Sequence, residues 1–305
     1  MPTAAEPRPA LLPLPGGRRG ATVRLHPLLT GTALFPTDWL ARPPRRLAGP
    51  RALAVRVPHE RWQRIPIPAF CIEHPNAGAL LVETGLHPSV AVRPRANLGR
   101  AATAAFRRIE MRPEQAAPVQ LRERGLDPRA LGLVVLTHLH VDHASAISEF
   151  PDATFLVDAR EWRAATTSGP LRAALEGYRR RQFDHAFDYR RVDFDSPDTS
   201  SYSTFGRSVD VFGDGSVRLV STPGHTAGHM SVVLRLEGRE ALLAGDAIYL
   251  ERTLSEGVPP YRMQDEHRWR RSLRELQLYA RERPDALIVP GHDMDAWRRL
   301  QPVYD

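Results

Sequence analysis

Residues 137–144 read Thr-His-Leu-His-Val-Asp-His-Ala, which places three histidines and a carboxylate within the six residues from His138 to His143. They follow directly on the apolar run Leu131-Gly-Leu-Val-Val-Leu136. Side chains at i and i+2 of an extended segment point the same way, whereas on a helix they diverge. His138 and His140 can therefore grip one ion together as a strand runs out. Asp142 and His143 are adjacent, so the chain must turn there, and the turn aims them at a different point. One short stretch thus offers ligands for two neighbouring metal positions. Imidazole and carboxylate without thiolate suit zinc or a related divalent transition metal.

Such ligands need rigid elements behind them. In the second half of the chain a short apolar strand, a tight turn and a His or Asp recur three times. Arg218-Leu-Val-Ser-Thr runs into Pro223-Gly-His225, Glu240-Ala-Leu-Leu-Ala-Gly into Asp246, and Ala286-Leu-Ile-Val-Pro-Gly into His292. Glycine lets the backbone bend sharply, so the next side chain points across the strand ends, and strands hold ligands where metal geometry needs them. Between the last two, Trp269, Leu273, Leu276 and Ala280 recur at helical spacing, which predicts an amphipathic helix covering a sheet.

Upstream, Ile65–Ile72 and Ala79–Gly85 flank the turn His74-Pro-Asn-Ala-Gly78 and read as a β-hairpin. Val23-Arg-Leu-His-Pro27, followed by Thr30-Gly-Thr-Ala-Leu-Phe35, resembles an opening strand and its turn. Residues 41–66, rich in Arg and Pro, read as an irregular loop. A helix is expected around Glu114–Arg124, a strand at Ala153–Val157, and a helix over Ala159–Arg181 broken at Ser168-Gly-Pro170. The aromatic-rich span Tyr178–Phe205 either lines a pocket or covers the core. Residues 1–20, rich in Pro, Gly and Arg, bury too little apolar area to offset ordering and read as a flexible tail, or as an arm packed on a partner. The rest, 21–305, is taken as a single domain. Within it residues 86–113 have no clear period, and a long irregular insertion beside a ligand cluster is usually a lid or binding loop.

The set His138-x-His140-x-Asp142-His143, His225, Asp246 and His292, in this order and spacing, resembles the metallo-β-lactamase superfamily from roughly Val23 to the C-terminus. The resemblance implies a four-layer αββα sandwich of two similar halves with a dinuclear metal centre along one edge. It implies two Zn2+, or other divalent transition metals: His138, His140 and His225 on one, Asp142, His143 and His292 on the other, and Asp246 bridging. Aspartate at that bridging position argues against the cysteine-bearing, antibiotic-hydrolysing branch. Tyr249, three residues after Asp246, is similar to a tyrosine of the N-acyl-homoserine lactonases, where it meets the substrate. The chain departs from the pattern at Ser145-Ala146, where a glycine pair often follows the octet, and at Glu83, where the hairpin's Asp-Thr-Gly has Asp. The N-terminal extension and the 86–113 insertion also differ.

What the resemblance implies chemically is a hydrolase that opens a lactone ring, N-acyl-homoserine lactone foremost, by attack of a metal-bridging hydroxide, with quorum-signal degradation as its role. Tyr249 would steady the carbonyl oxygen as it becomes negative, and Asp142 would pass a proton to the leaving alkoxide. A glyoxalase-II-like thioesterase is the alternative, and a nuclease of the same fold a weaker one. A small-molecule lactone or ester is the expected partner. Since an N-terminal extension in this fold can reach a neighbouring subunit, residues 1–20 leave a homodimer open.

Composition restricts the other classes. The net charge of +7 comes from 42 Arg and no Lys against 35 acids. Residues 1–110 hold 16 Arg and 6 acids, and the remainder 26 Arg and 29 acids. The positive excess lies away from the octet, so it reads as solvated surface rather than a nucleic-acid site. No apolar stretch approaches the ~18 residues of a membrane helix, and Pro interrupts every Leu run near the start, so neither a membrane span nor a secretory signal is expected. A single cysteine, Cys71, excludes an internal disulfide framework and fits a reducing compartment, hence the cytoplasm. Cys71 itself reads as a small buried hydrophobe. His229 and Asp293 read as supporting or capping groups, and His26, His59, His74, His87, His185 and His267 as surface or loop residues. Phe35, Trp39, Phe106 and Tyr202 are candidates for an acyl pocket.

Overall fold

A computed structural model describes residues 4–42, 57–105 and 107–305. Most of the loop expected at 41–66, together with Phe106, lies outside the described residues. Strands β1 (Arg8–Pro9), β2 (Arg24–Pro36), β3 (Trp62–His74), β4 (Gly78–Val82), β5 (Arg107–Glu110), β6 (Leu133–Val135), β7 (Thr154–Asp158) and β8 (Asp188–Val192) form one sheet. Its order is β1-β8-β7-β6-β4-β3-β2-β5. Strands β9 (Ser200–Tyr202), β10 (Phe205–Asp210), β11 (Val217–Ser221), β12 (Met230–Arg235), β13 (Glu240–Gly245) and β14 (Leu287–Pro290) form the second, in the order β14-β13-β12-β11-β10-β9.

The period-2 alternation of side chains along a strand assigns the layers. Leu133, Val135 and Leu156 point into a core shared with Val217, Leu219, Val232 and Leu234 of the second sheet. Val134, Phe155 and Val157, on the other face of the same strands, pack with Leu121 of the helix Ala117–Glu123 and Trp162 of the helix Ala159–Thr167. On the far side of the second sheet, Val220, Val233 and Leu242 meet Leu276 and Tyr279 of the helix Glu266–Glu282. Helix, sheet, sheet, helix is the expected αββα sandwich. Cys71 is fully buried in the core between the first sheet and its helices, and burial pushes its thiol up to about 12.

Four expectations change. The segment expected to stay loop up to residue 66 is already strand from Trp62, which pairs with Pro36 across the β2–β3 ladder. The irregular insertion holds the helix Pro94–Ala105, broken at Gly99 (φ 87°), and then β5 on the edge of β2. Its helix shows no continuous apolar stripe because Leu98 and Ala102 meet an apolar cluster while the neighbouring positions meet polar groups: Asn97 bonds Ser145 and Gln182, and Arg179 reaches the Ala96 carbonyl. Residues 4–20, expected as a tail, are laid along the chain's own domain. Main-chain bonds from Ala10 to Arg191 and from Leu14 to Val211, with Asp184, Asp188 and Asp214 as side-chain anchors, fasten them. Finally, His74 is buried rather than exposed: its Nε2 lies 3.0 Å from Asp214 Oδ2 and its Nδ1 accepts from the Asn76 and Ala77 amides of the hairpin turn.

Candidate metal centre

Every ligand expected from the sequence arrives at one edge of the sandwich, just beyond a strand: the octet after β6, His225 after β11, Asp246 after β13 and His292 after β14. Two main-chain bonds hold the arrangement from both sheets. The Met230 amide donates to the Thr137 carbonyl, which ties β12 to the start of the octet, and the His292 amide donates to the Tyr249 carbonyl. Gly291 is required for close approach, since a Cβ there would stand 2.7 Å from Asp246 Oδ1.

The side chains fall into two groups. His138, His140, His225 and Asp246 form the first, and Asp142, His143 and His292 the second; within each, one ligand atom per residue lies within 4.8 Å of the others. All are buried except His140, which is half-buried. In the first group His140 Nδ1 lies 3.0 Å from His225 Nε2, and Asp246 Oδ2 lies 3.2 Å from His225 Nε2 and 3.7 Å from His138 Nε2. In the second, Asp142 Oδ2 lies 3.6 Å from His143 Nε2 and 3.5 Å from His292 Nε2. Asp246 Oδ1 faces that group, 3.4 Å from His143 Nε2 and 3.2 Å from His292 Nε2.

These atoms fit divalent metal. Ligands at ~2.0–2.1 Å from a tetrahedral ion stand about 3.3 Å apart, inside the range observed. His138 Nε2, His143 Nε2 and Asp246 Oδ1 are buried without a hydrogen-bond partner, which is costly unless something else satisfies them. The electrostatics agree. Burial, reinforced by neighbouring histidines, holds the His138 imidazole well below its usual value, and at His225 burial, with neighbouring histidines, outweighs Asp246 to the same effect, so both imidazoles are neutral. At Asp246 burial is overridden by His292, His143 and His225, which hold the carboxyl well below its usual range. At His143 burial is overridden by Glu83, Asp142 and Asp246, which raise the imidazole well above its own.

Around the ligands stands a supporting layer. His229 does not turn toward either group: its Nε2 accepts from the Asp246 amide at 3.0 Å and its Nδ1 meets Thr222 Oγ1 at 2.9 Å. His292 Nδ1 is held by the Pro66 carbonyl at 3.0 Å. Asp293 caps the helix Met294–Arg298. Two residues of this layer, Glu83 and Glu161, carry no motif of their own. Glu83 meets both Thr137 and His143 Nδ1, and its place in Glu-Thr-Gly was the available signal. Glu161 bonds the Leu139 and Gly228 amides, and nothing in the sequence marked it.

The two groups floor a cavity of 710 Å³. Phe35, Trp39, Leu40, Ile65 and Leu98 give it an apolar wall, and Arg95, Arg100, Arg179 and Arg262 line it as well. The insertion (Arg95, Leu98, Gly99, Arg100, Ala102) and the neighbouring segment 174–179 both contribute to its lining. Tyr249 also lines it. Its ring packs against His225 and His292, its hydroxyl stands 3.5 Å from His225 Nδ1, and burial together with Asp246 and Asp142 keeps it protonated. Of the aromatic candidates, Phe35 and Trp39 line the cavity. Tyr202 does not: it bonds Glu240 on the second sheet.

The metallo-beta-lactamase superfamily matches the chain over residues 63–292. The N-acyl homoserine lactonase AttM of Azorhizobium caulinodans is 36% identical over 234 residues, covering 76% of this chain and 84% of that protein. AttM of Agrobacterium fabrum is 35% identical over 241 residues, covering 78% and 85%. Among solved structures, an N-acyl homoserine lactone hydrolase with the product N-hexanoyl-L-homoserine bound at its catalytic metal centre has a TM-score of 0.73 at 21% identity. That likeness covers 93% of this chain and 100% of the other, and it concerns the fold.

Proposed function

The chain belongs to the metallo-beta-lactamase superfamily as a metal-dependent hydrolase, and we propose that the ester it opens is a lactone, N-acyl homoserine lactone foremost. The observation that carries the proposal is the division of one carboxylate. Asp246 turns Oδ2 to the first ligand group and Oδ1 to the second, as a residue shared by two neighbouring ions would. We assign His138, His140 and His225 to one ion, Asp142, His143 and His292 to the other, and Asp246 to both, with zinc as the metal.

Two such ions, held by these residues, would supply Lewis acidity and a nucleophilic hydroxide at neutral pH. The chain's own residues do the rest. Tyr249, protonated and facing the cavity, donates to the carbonyl oxygen as it gains charge. Asp142, its carboxylate buried between His143 and His292 at the cavity floor, takes the proton that the attacking hydroxide carries in and passes it to the departing alkoxide, leaving a carboxylate and an alcohol. The wall of Phe35, Leu40, Ile65 and Leu98 excludes water and takes the acyl chain. The relatives named N-acyl homoserine lactonase, at 36% and 35% identity, support the lactone over other esters, and quorum-signal degradation is the role that follows.

A panel assay of zinc-loaded protein on acyl-homoserine lactones, simple lactones and thioesters tests this reading. Acyl-homoserine lactones are expected to turn over fastest. Rapid thioester cleavage with every lactone left intact would replace the proposal by the thioesterase reading.

A further inference from the structure

We propose that Glu161 is a positioning residue for the three-histidine half of the centre, setting the spacing between the octet and the His225 loop. The inference rests on the metal assignment above. Glu161 lies in the first turn of the helix Ala159–Thr167 and is fully buried. Its Oε1 accepts the Leu139 amide at 3.0 Å, and its Oε2 accepts the Gly228 amide at 3.2 Å. Leu139 stands between His138 and His140, and Gly228 three residues after His225. One side chain therefore joins the two segments that carry all three histidines of the first group.

A buried carboxyl without a cationic partner is costly, and the groups that act most on Glu161 include no Arg or His. What it satisfies instead are two buried amides that would otherwise lack acceptors. The fit leaves no slack. A Cβ on Gly228 would lie 2.3 Å from the Glu161 nitrogen and 2.5 Å from Asp158 Oδ1, the capping oxygen of the same helix. Gln264 also holds the loop, its side-chain Oε1 accepting from the Ala227 amide at 2.8 Å and its main-chain N–H donating to the His225 carbonyl at 3.1 Å. The loop is clamped between two elements, and the Glu161 clamp is the one that also reaches the octet. Its effect is selective, because the histidines of the second group are held elsewhere: His143 by Glu83 and His292 by the Pro66 carbonyl.

The test is titration of the metal-free full chain and its Glu161→Gln variant with zinc and with cobalt(II), read as stepwise affinities and as the visible spectrum of the cobalt protein. Glutamine keeps the size but can accept only on one side, since its NH2 would face an amide N–H. The expected result is a ten- to 100-fold loss of affinity at one of two sites, an altered cobalt spectrum for that site, and the other affinity unchanged. Should the Gln protein not fold, Glu161→Asp, which keeps the charge but shortens the reach, is expected to show the same one-sited loss. A folded variant that binds both equivalents with wild-type affinity and spectrum, or that weakens both sites equally, overturns the inference. Failure of the unaltered chain to bind metal would instead overturn the assignment on which it rests.

Discussion

Glu83 Oε1 lies 3.1 Å from His143 Nδ1, on the side of the imidazole opposite the cavity ligands, and the same carboxylate takes the Thr137 hydroxyl. On the ligand assignment proposed above, carboxylate, imidazole and metal would stand in series, an arrangement that fixes the tautomer and raises ligand basicity. Glu83 holds this place with a backbone φ of 63°, a region that non-glycine residues enter only when their surroundings dictate it. Glu83→Gln should therefore lower zinc affinity ten- to 100-fold at the group formed by Asp142, His143 and His292. A competition titration against a chromophoric chelator reads this directly. Unchanged affinities would mean that Glu83 serves only the fold.

Because Asp246 addresses both groups, its loss should be felt at both. Asp246→Asn removes the charge that three imidazoles surround, and zinc content per chain should fall together with turnover, the latter by at least about 100-fold. Dialysis against a strong chelator should abolish activity in the unaltered protein, with recovery on adding zinc. Metal analysis beside the rate assay decides the matter. Full rate and full zinc in the Asn protein would remove the shared role.

Tyr249 is a different kind of partner. It contacts His225 and His292 by its ring and presents a hydroxyl that stays protonated. Tyr249→Phe should leave zinc content intact and KM near its original value while kcat drops about 100-fold, the loss expected when one oxyanion donor is removed. A rate on acyl-homoserine lactone indistinguishable from the unaltered protein would leave Tyr249 as a pocket wall.

What could be read from the sequence was whatever the strand period and the ligand spacing carry. The octet, His225, Asp246 and His292 follow apolar strands, so their convergence was legible, whereas the αββα layering was implied by the resemblance to the metallo-β-lactamase superfamily. Residues that act through main-chain bonds left no such trace. Glu161 looked like an ordinary helical acid because its two partners are backbone amides of Leu139 and Gly228. His74 resembled any turn histidine, and its partner Asp214 lies 140 residues away. Residues 4–20 are held by scattered carboxylates and a two-residue strand, neither of which has a period. The helix Pro94–Ala105 is broken at Gly99 and sets only Leu98 and Ala102 on an apolar cluster, its other contacts going to Arg179, Gln182 and Ser145, so no stripe marked it.

The arm also makes acid sensitivity testable. The Asp188 carboxyl is held down to about 2, chiefly by Arg190, against a smaller effect of burial and with help from Arg8 and Thr154. In the unfolded chain it titrates near ~3.9. A depressed folded value means that its stabilisation is present above about pH 4 and lost as pH falls through about 2. The group is largely solvated, so screening limits the effect to under about 1 kcal/mol. Urea unfolding at pH 5, 3 and 2 should show a shallower loss for Asp188→Asn than for the unaltered chain. Parallel losses would show that this cluster does not contribute.

Leu98 offers the sharpest test of what the apolar wall holds. It is buried on the inner side of the helix Pro94–Ala105 and lines the cavity with Phe35 and Ile65. If the wall receives an acyl chain, shortening the cavity should matter only to chains long enough to reach it. Each methylene removed from apolar contact costs ~0.8 kcal/mol, so two displaced by Leu98→Trp amount to about tenfold in kcat/KM. Decanoyl-homoserine lactone should therefore lose about tenfold against the unaltered protein, while butanoyl-homoserine lactone keeps its rate and the protein keeps its zinc. Equal losses for both chain lengths would place the acyl group elsewhere in the cavity.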